Sequence, residues 1–137
     1  MTVLKANARA TRQGAAANFT GVVWQDEVVV GKAPSRMRAT VVSFTPGART
    51  AWHAHPVGQV LYCLSGVGRI AIGKGSRPQA IHPGDTVLIP PDTEHWHGAA
   101  PDRLFSHLAL SETGDGGKGT QWGEHVSEED YRAELLP

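Results

Sequence analysis

The chain has 137 residues, with 13 Lys and Arg against 13 Asp and Glu and no net charge when histidine is neutral; that suits one domain and excludes a nucleic-acid or membrane partner held by bulk charge. Its single cysteine, Cys63, excludes an internal disulfide. No apolar run is long enough to span a bilayer and Met1–Lys5 lacks an apolar leader, so a cytoplasmic protein is expected.

The 16 glycines and 9 prolines separate many short apolar runs, a pattern that predicts strands joined by turns. Residues 1–20 are small and polar and read as an N-terminal arm. Gly21–Val30 reads as a strand, rich in Val and broken by Lys32–Ser35. Arg38–Phe44 is the next strand, with Arg38, Thr40, Val42 and Phe44 on one face. After the turn Thr45-Pro46-Gly47 comes a stretch carrying His53 and His55, which alternation puts on one face. Pro56-Val57-Gly58 reads as a tight reversal that brings Gln59 back beside them. Gln59–Leu64 shares its Gln59 face with Leu61 and Cys63 and forms a hairpin with Arg69–Ile72. Thr86–Ile89 is short and apolar, and Pro90-Pro91-Asp92-Thr93 turns into a second pair, His95 and His97. Leu104–Ser111 alternates, with Phe105, His107, Ala109 and Ser111 on one side. Trp122–Val126 reads as a last strand. Ser127 then caps a short helix that ends near Leu136, with Asp130 at the capping-box position and Val126 and Tyr131 at the staple positions. The expected architecture is a single all-β barrel or jelly roll over residues 21–126, with a helix in 127–137.

Two neutral imidazoles and an amide oxygen that converge on one point suit a divalent cation of intermediate softness. Four of the seven histidines fall in two strand-spaced pairs, His53/His55 and His95/His97. A metal site shared between the pairs is the expectation. His82 and His125 are turn-borne or near the terminus and read as solvent-facing. Trp52, Trp96, Phe44 and Phe105 read as packing residues.

The spacing resembles the cupin superfamily. Its first motif, G-x5-H-x-H-x3,4-E-x6-G, is matched by Gly47, His53, His55, Gln59 and Gly66, with Gln59 where Glu is usual. Its second, G-x5-P-x-G-x2-H-x3-N, is matched by Gly84, Pro90 and His95, with Asp92 for the usual Gly and Ala99 for the usual Asn. The resemblance spans about residues 37–112 and implies a small jelly-roll barrel with a divalent metal inside it. His53, His55, Gln59 and His95 would be the ligands, with His97 projecting beside the metal and His107 a second, unligated imidazole.

A closer resemblance is to the small bacterial cupins that include manganese-dependent hydroxynitrile lyases. It rests on the block Gly47–Gln59, the block His95–Pro101, His107-Leu108-Ala109, and Trp122–Val126. It implies cleavage or formation of a cyanohydrin from an aldehyde and cyanide, with His97 and His107 as acid/base residues. Thr40, Val42, Leu61 and Phe105 would wall the substrate pocket. The implied metal is manganese, although the ligand types also suit iron, nickel or zinc. The expected partners are a small-molecule substrate and further copies of the chain, as a homodimer or homotetramer. Alternatives are a dioxygenase or isomerase acting on a small keto or enol compound, or a non-catalytic metal cupin that binds a ligand.

Overall fold

Period-two alternation of small or polar and β-branched residues, cut every few positions by Gly or Pro, gives thirteen strands and one short helix in the computed structural model, which describes residues 1–137. In chain order the strands are β1 Thr11–Gln13, β2 Phe19–Thr20, β3 Val23–Val30, β4 Met37–Phe44, β5 Arg49–Thr50, β6 His53–Ala54, β7 Gln59–Gly66, β8 Gly68–Ile72, β9 Gln79–Ile81, β10 Thr86–Ile89, β11 His95–Ala99, β12 Phe105–Glu112 and β13 Gln121–Trp122; α1 is Glu128–Arg132. One antiparallel sheet runs β1-β3-β4-β12-β7-β10. The other runs β13-β6-β11-β5-β2, with β8 also on β11 and β9 on β8.

The inner faces meet in one core. Val42, Phe44, Leu61, Cys63 and Phe105 come from the first sheet, and Phe19, Ile70, Ile81 and Ala99 from the second. This is the expected all-β jelly-roll barrel. A smaller cluster of Trp52, Ala71, Trp96, Val126 and Tyr131 lies where α1 covers the outside of the second sheet. No helix is long and apolar enough to cross a membrane.

Four local features differ from the expectation. Residues 1–20 are not only an arm: β1 extends the first sheet beside β3, and β2 pairs with β5 in the second. The first histidine stretch is two short strands, β5 and β6, because the chain turns at His55–Gly58, where the Gly58 amide donates to His55 O at 3.2 Å. Gly58 has φ +85, and a Cβ there would stand 2.5 Å from Ile89 O, so the turn needs glycine. Strand pairing in the last segment stops at Trp122, after which Gly123 and Glu124 bond Trp52 through their backbones at 2.7 and 2.9 Å. The helix is capped by Ser127 Oγ, which accepts from the Asp130 amide at 3.0 Å, but it ends at Arg132. Beyond it the chain is drawn out against Arg77 and Pro78: Arg77 Nε donates to Glu134 O at 3.0 Å and the Leu136 amide to Pro78 O at 2.8 Å.

Register positions the site. On β12, Phe105 sits opposite Gly66 and His107 opposite Cys63, with a shift between them that leaves Leu64 of β7 as a bulged residue. The odd interval from Gln59 to Gly66 would put the two on opposite faces of a regular strand. The bulge lets both face inward. Gly66 has φ +77, and a Cβ there would overlap Leu104 O at 1.7 Å.

Candidate metal centre and active site

β11 lies between β6 and β8, and His95 sits directly opposite His53. Alternation along β11 carries His97 to the same inner face, and all three imidazoles are buried. One ring nitrogen from each of His53, His95 and His97 lies within 4.8 Å of the others. The His53 and His95 ring centroids are 4.1 Å apart. His55 stands a little further out, at 5.1 Å from His53 and 5.4 Å from His95.

The hydrogen bonds orient these rings. His53 Nδ1 lies 2.9 Å from Ala51 O, and His95 Nδ1 lies 2.8 Å from Thr93 O. A carbonyl can only accept, so both Nδ1 atoms carry the proton, and each Nε2 keeps its lone pair for the interior. His55 Nδ1 lies 3.3 Å from Thr120 Oγ1. The buried atoms His55 Nε2, His95 Nε2, His97 Nε2 and Gln59 Oε1 have no hydrogen-bond partner. Buried polar atoms are seldom left so, and a cluster of lone-pair donors is what a divalent cation requires. Three buried histidines can hold such an ion, and the neighbouring amide oxygen suits it too.

His97 is oriented differently. Its Nδ1 meets His107 Nε2 at 3.1 Å, and its backbone amide donates to Thr50 Oγ1 at 3.2 Å. His107, on β12 opposite Val42, is packed at 5.5 Å from the rings of both Phe44 and Phe105.

Every one of these imidazoles is held neutral. Burial, then the neighbouring His95, pushes His53 well below the ordinary 6.5. Burial lowers His55, partly offset by the adjoining Gln59 side chain. Burial takes His95 down to about 4 and His107 to about 3. His97 is pushed well below 6.5 by burial first and by His107 next. Desolvation penalises the charged ring, and several imidazoles in one pocket penalise each other's protonation.

These groups open onto a cavity of about 320 Å³. Thr40, Val42, His53, His55, Gln59, His97 and His107 all line it. His95 lies behind them with no exposed surface. Leu61 and Phe105, expected on the wall, are in the core instead. Both point inward, but Leu61 is sealed between Val87 and Ala109 on the flanking strands, and Phe105 fills the space that Gly68 leaves open. His82 and His125 are exposed, as expected.

The cavity also has walls that strand-by-strand reading does not supply. Trp122 of β13 sits opposite His53 and lies over it, with centroids 4.7 Å apart and planes 31° apart. Phe19 of β2 meets Trp122 edge-on at 5.7 Å. Gln25, Arg38, Thr50 and Thr120 complete the polar side. The one signal for Trp122 in the sequence was its place in the closing Trp122–Val126 segment. The inward row Arg38, Thr40, Val42 was already visible in the alternation of β4.

The comparisons with known proteins agree with this geometry. The model of the cupin domain family matches residues 40–106. Over 132 residues the chain is 43% identical to a protein of Granulicella tundricola named (R)-mandelonitrile lyase, which covers 96% of this chain and 99% of that one. The crystal structure of a cupin-like protein from Thermotoga maritima superposes with a TM-score of 0.81 at 38% identity, covering 88% of this chain and 90% of that one. The polyketide cyclase RemF from Streptomyces resistomycificus shares the fold, with a TM-score of 0.73 at 16% identity over 96% of this chain and 90% of that one. This chain belongs to the cupin domain family.

Proposed function

We propose that the protein is a metal-dependent, hydroxynitrile lyase-like enzyme that cleaves a cyanohydrin to an aldehyde and hydrogen cyanide, and catalyses the reverse addition. The reading is supported by the near full-length similarity to the Granulicella protein named (R)-mandelonitrile lyase. The observation that carries it at the site is a buried, unpartnered His97 Nε2 at the cavity, backed by His107 at 3.1 Å.

We assign His53, His55, Gln59 and His95 as the residues that hold one divalent cation. The anchored Nδ1 atoms of His53 and His95 and the unpartnered Nε2 of His55 and Oε1 of Gln59 fit that role. Manganese is the expected ion by family resemblance, and iron, nickel and zinc suit the same donors. All four ligands are neutral, so a cation held there keeps its double charge and supplies Lewis acidity that makes a substrate hydroxyl more acidic.

Cleavage breaks the bond between the carbinol carbon and the nitrile carbon. The electron pair leaves on cyanide, the hydroxyl loses its proton and becomes the carbonyl, and cyanide gains that proton. His97 is suited to carry it. With Nδ1–H donating to His107 Nε2, its Nε2 presents a lone pair that takes the proton and then returns it to cyanide. The burial that disfavours the imidazolium makes this return easy. Thr40, Val42 and Trp122 enclose the small organic group.

Elemental analysis of untagged protein, paired with mandelonitrile cleavage with and without chelator, tests the reading. It expects one divalent ion per chain and cleavage lost on chelation. Metal-replete protein that cleaves no cyanohydrin would overturn it, and oxygen consumption with iron bound would point to a dioxygenase. Self-association belongs to the same proposal: Leu88, Val60 and Leu110 form an apolar row across the outer face of the first sheet, and Leu88 is 72% exposed. Light scattering would expect a dimer or tetramer.

A further inference from the structure

The inner face of the first sheet carries its side chains in cross-strand rows. One row joins Gln59 of β7 to Ser111 of β12 and Arg38 of β4. Two ladder spacings put the Arg38 backbone roughly 10 Å from that of Gln59, within reach of a long side chain working toward the same cavity. Arg38 lines that cavity at its rim. It also lines an adjoining groove beneath the N-terminal arm, whose wall adds Lys5, Arg9 and Arg12. Arg12 sits opposite Gln25, and Gln25, Arg38 and Thr40 are common to the cavity and the groove.

The nearby ion pair runs from Arg36 to Asp115 at 2.7 Å and leaves Arg38 alone. Glu27 in the groove and Glu112 in the cavity reach the same rim, but neither comes within ion-pairing distance of Arg38. A guanidinium without a carboxylate partner, at the mouth of a cavity and among other cations, presents its donor fork to an incoming anion.

We propose that Arg38 is a specificity residue that receives a carboxylate carried by the substrate on the side remote from the reacting carbon. The preferred substrate class is then a small aldehyde or cyanohydrin with an anionic tail, not a wholly uncharged one. The choice of aldehydes and cyanohydrins rests on the proposed function. The capture of the carboxylate does not, and binding measurements separate the two.

Binding of 4-carboxybenzaldehyde and of benzaldehyde to metal-loaded protein is measured by calorimetry or ligand-observed NMR, for the native chain, Arg38→Met and Arg38→Lys. The native protein should bind the carboxylated aldehyde at least about tenfold more tightly. Arg38→Met should bring the two affinities to near equality, and Arg38→Lys should retain part of the preference, because a single ammonium keeps charge but loses the bidentate fork. A native protein that binds both alike, binds neither, or keeps its preference in Arg38→Met overturns the proposal. A preference that depends on Arg38 in a protein without lyase activity would leave this inference standing and remove the proposed reaction.

Discussion

His107 Nε2 stands 3.1 Å from His97 Nδ1, with both rings buried and His97 Nε2 left at the cavity. The contact makes the proton on one ring depend on the other. His97→Ala should lower kcat/KM for mandelonitrile cleavage by on the order of a hundredfold or more. His107→Phe keeps a flat ring beside Phe44 and Phe105 but cannot hydrogen-bond, and should lower kcat by about tenfold with a changed pH profile. Both variants should retain their metal by elemental analysis. Full activity in metal-replete His97→Ala would remove the assignment.

Gln59 is the neutral member of the proposed ligand set. Gln59→Glu adds a carboxylate where Oε1 is buried and unpartnered. The new charge should tighten metal binding by on the order of tenfold in chelator competition. It should also lower kcat, because a partly neutralised cation is a weaker Lewis acid. Looser binding in the variant would show that the amide does not face the ion.

The buried His107 makes the metal-free fold sensitive to acid. Its pKa falls from 6.5 to about 3 on folding because burial penalises the charged ring. Between those values the unfolded chain binds a proton that the folded one refuses. Its contribution is therefore present above about pH 6.5 and is lost as pH falls toward 3, by at most about 1.4 kcal/mol per unit. Urea midpoints of metal-free protein at pH 7.5 and 5 should show the loss, and His107→Phe should reduce the difference between them.

Tyr131 ties the helix to the barrel. Its hydroxyl donates to Ala99 O at 2.7 Å, and its ring lies 4.4 Å from the Arg49 guanidinium and 5.6 Å from that of Arg69. Tyr131→Phe leaves a buried carbonyl without its donor and should cost about 1–3 kcal/mol. Thermal unfolding should show that as a fall of several degrees, with mandelonitrile kinetics little changed.

Much of the candidate site follows from period two and motif spacing. His53 with His55, and His95 with His97, are placed by alternation alone, and the return of Gln59 follows from Pro56-Val57-Gly58. Asp92, which departs from the family's Gly, adopts φ +51, the backbone conformation for which glycine is usual. What stayed hidden depends on contacts between distant segments. Phe19 and Trp122 sit on two-residue strands, too short for any pattern to declare. Whether Leu61 meets a cavity or a core depends on what its neighbours seal, not on which way it points. The early end of α1 comes from carbonyls bonded by Arg77, some sixty positions upstream in the chain.

The extra residue at Leu64 also sets the terms on which this strand can be re-engineered. Gln59, Leu61 and Cys63 are phased by their own two-residue step, while Gly66 belongs to a frame offset by one. Excising Leu64 would merge the two frames and leave every inward partner where it stands. Excising Val60 would also make the Gln59–Gly66 interval even and keep Gln59 facing the barrel, but it would turn Leu61 and Cys63 outward and bring Tyr62 and Leu64 in. Within a few positions, one shortened protein keeps its inward row of Leu61 and Cys63 and another exchanges that row for its outward neighbours.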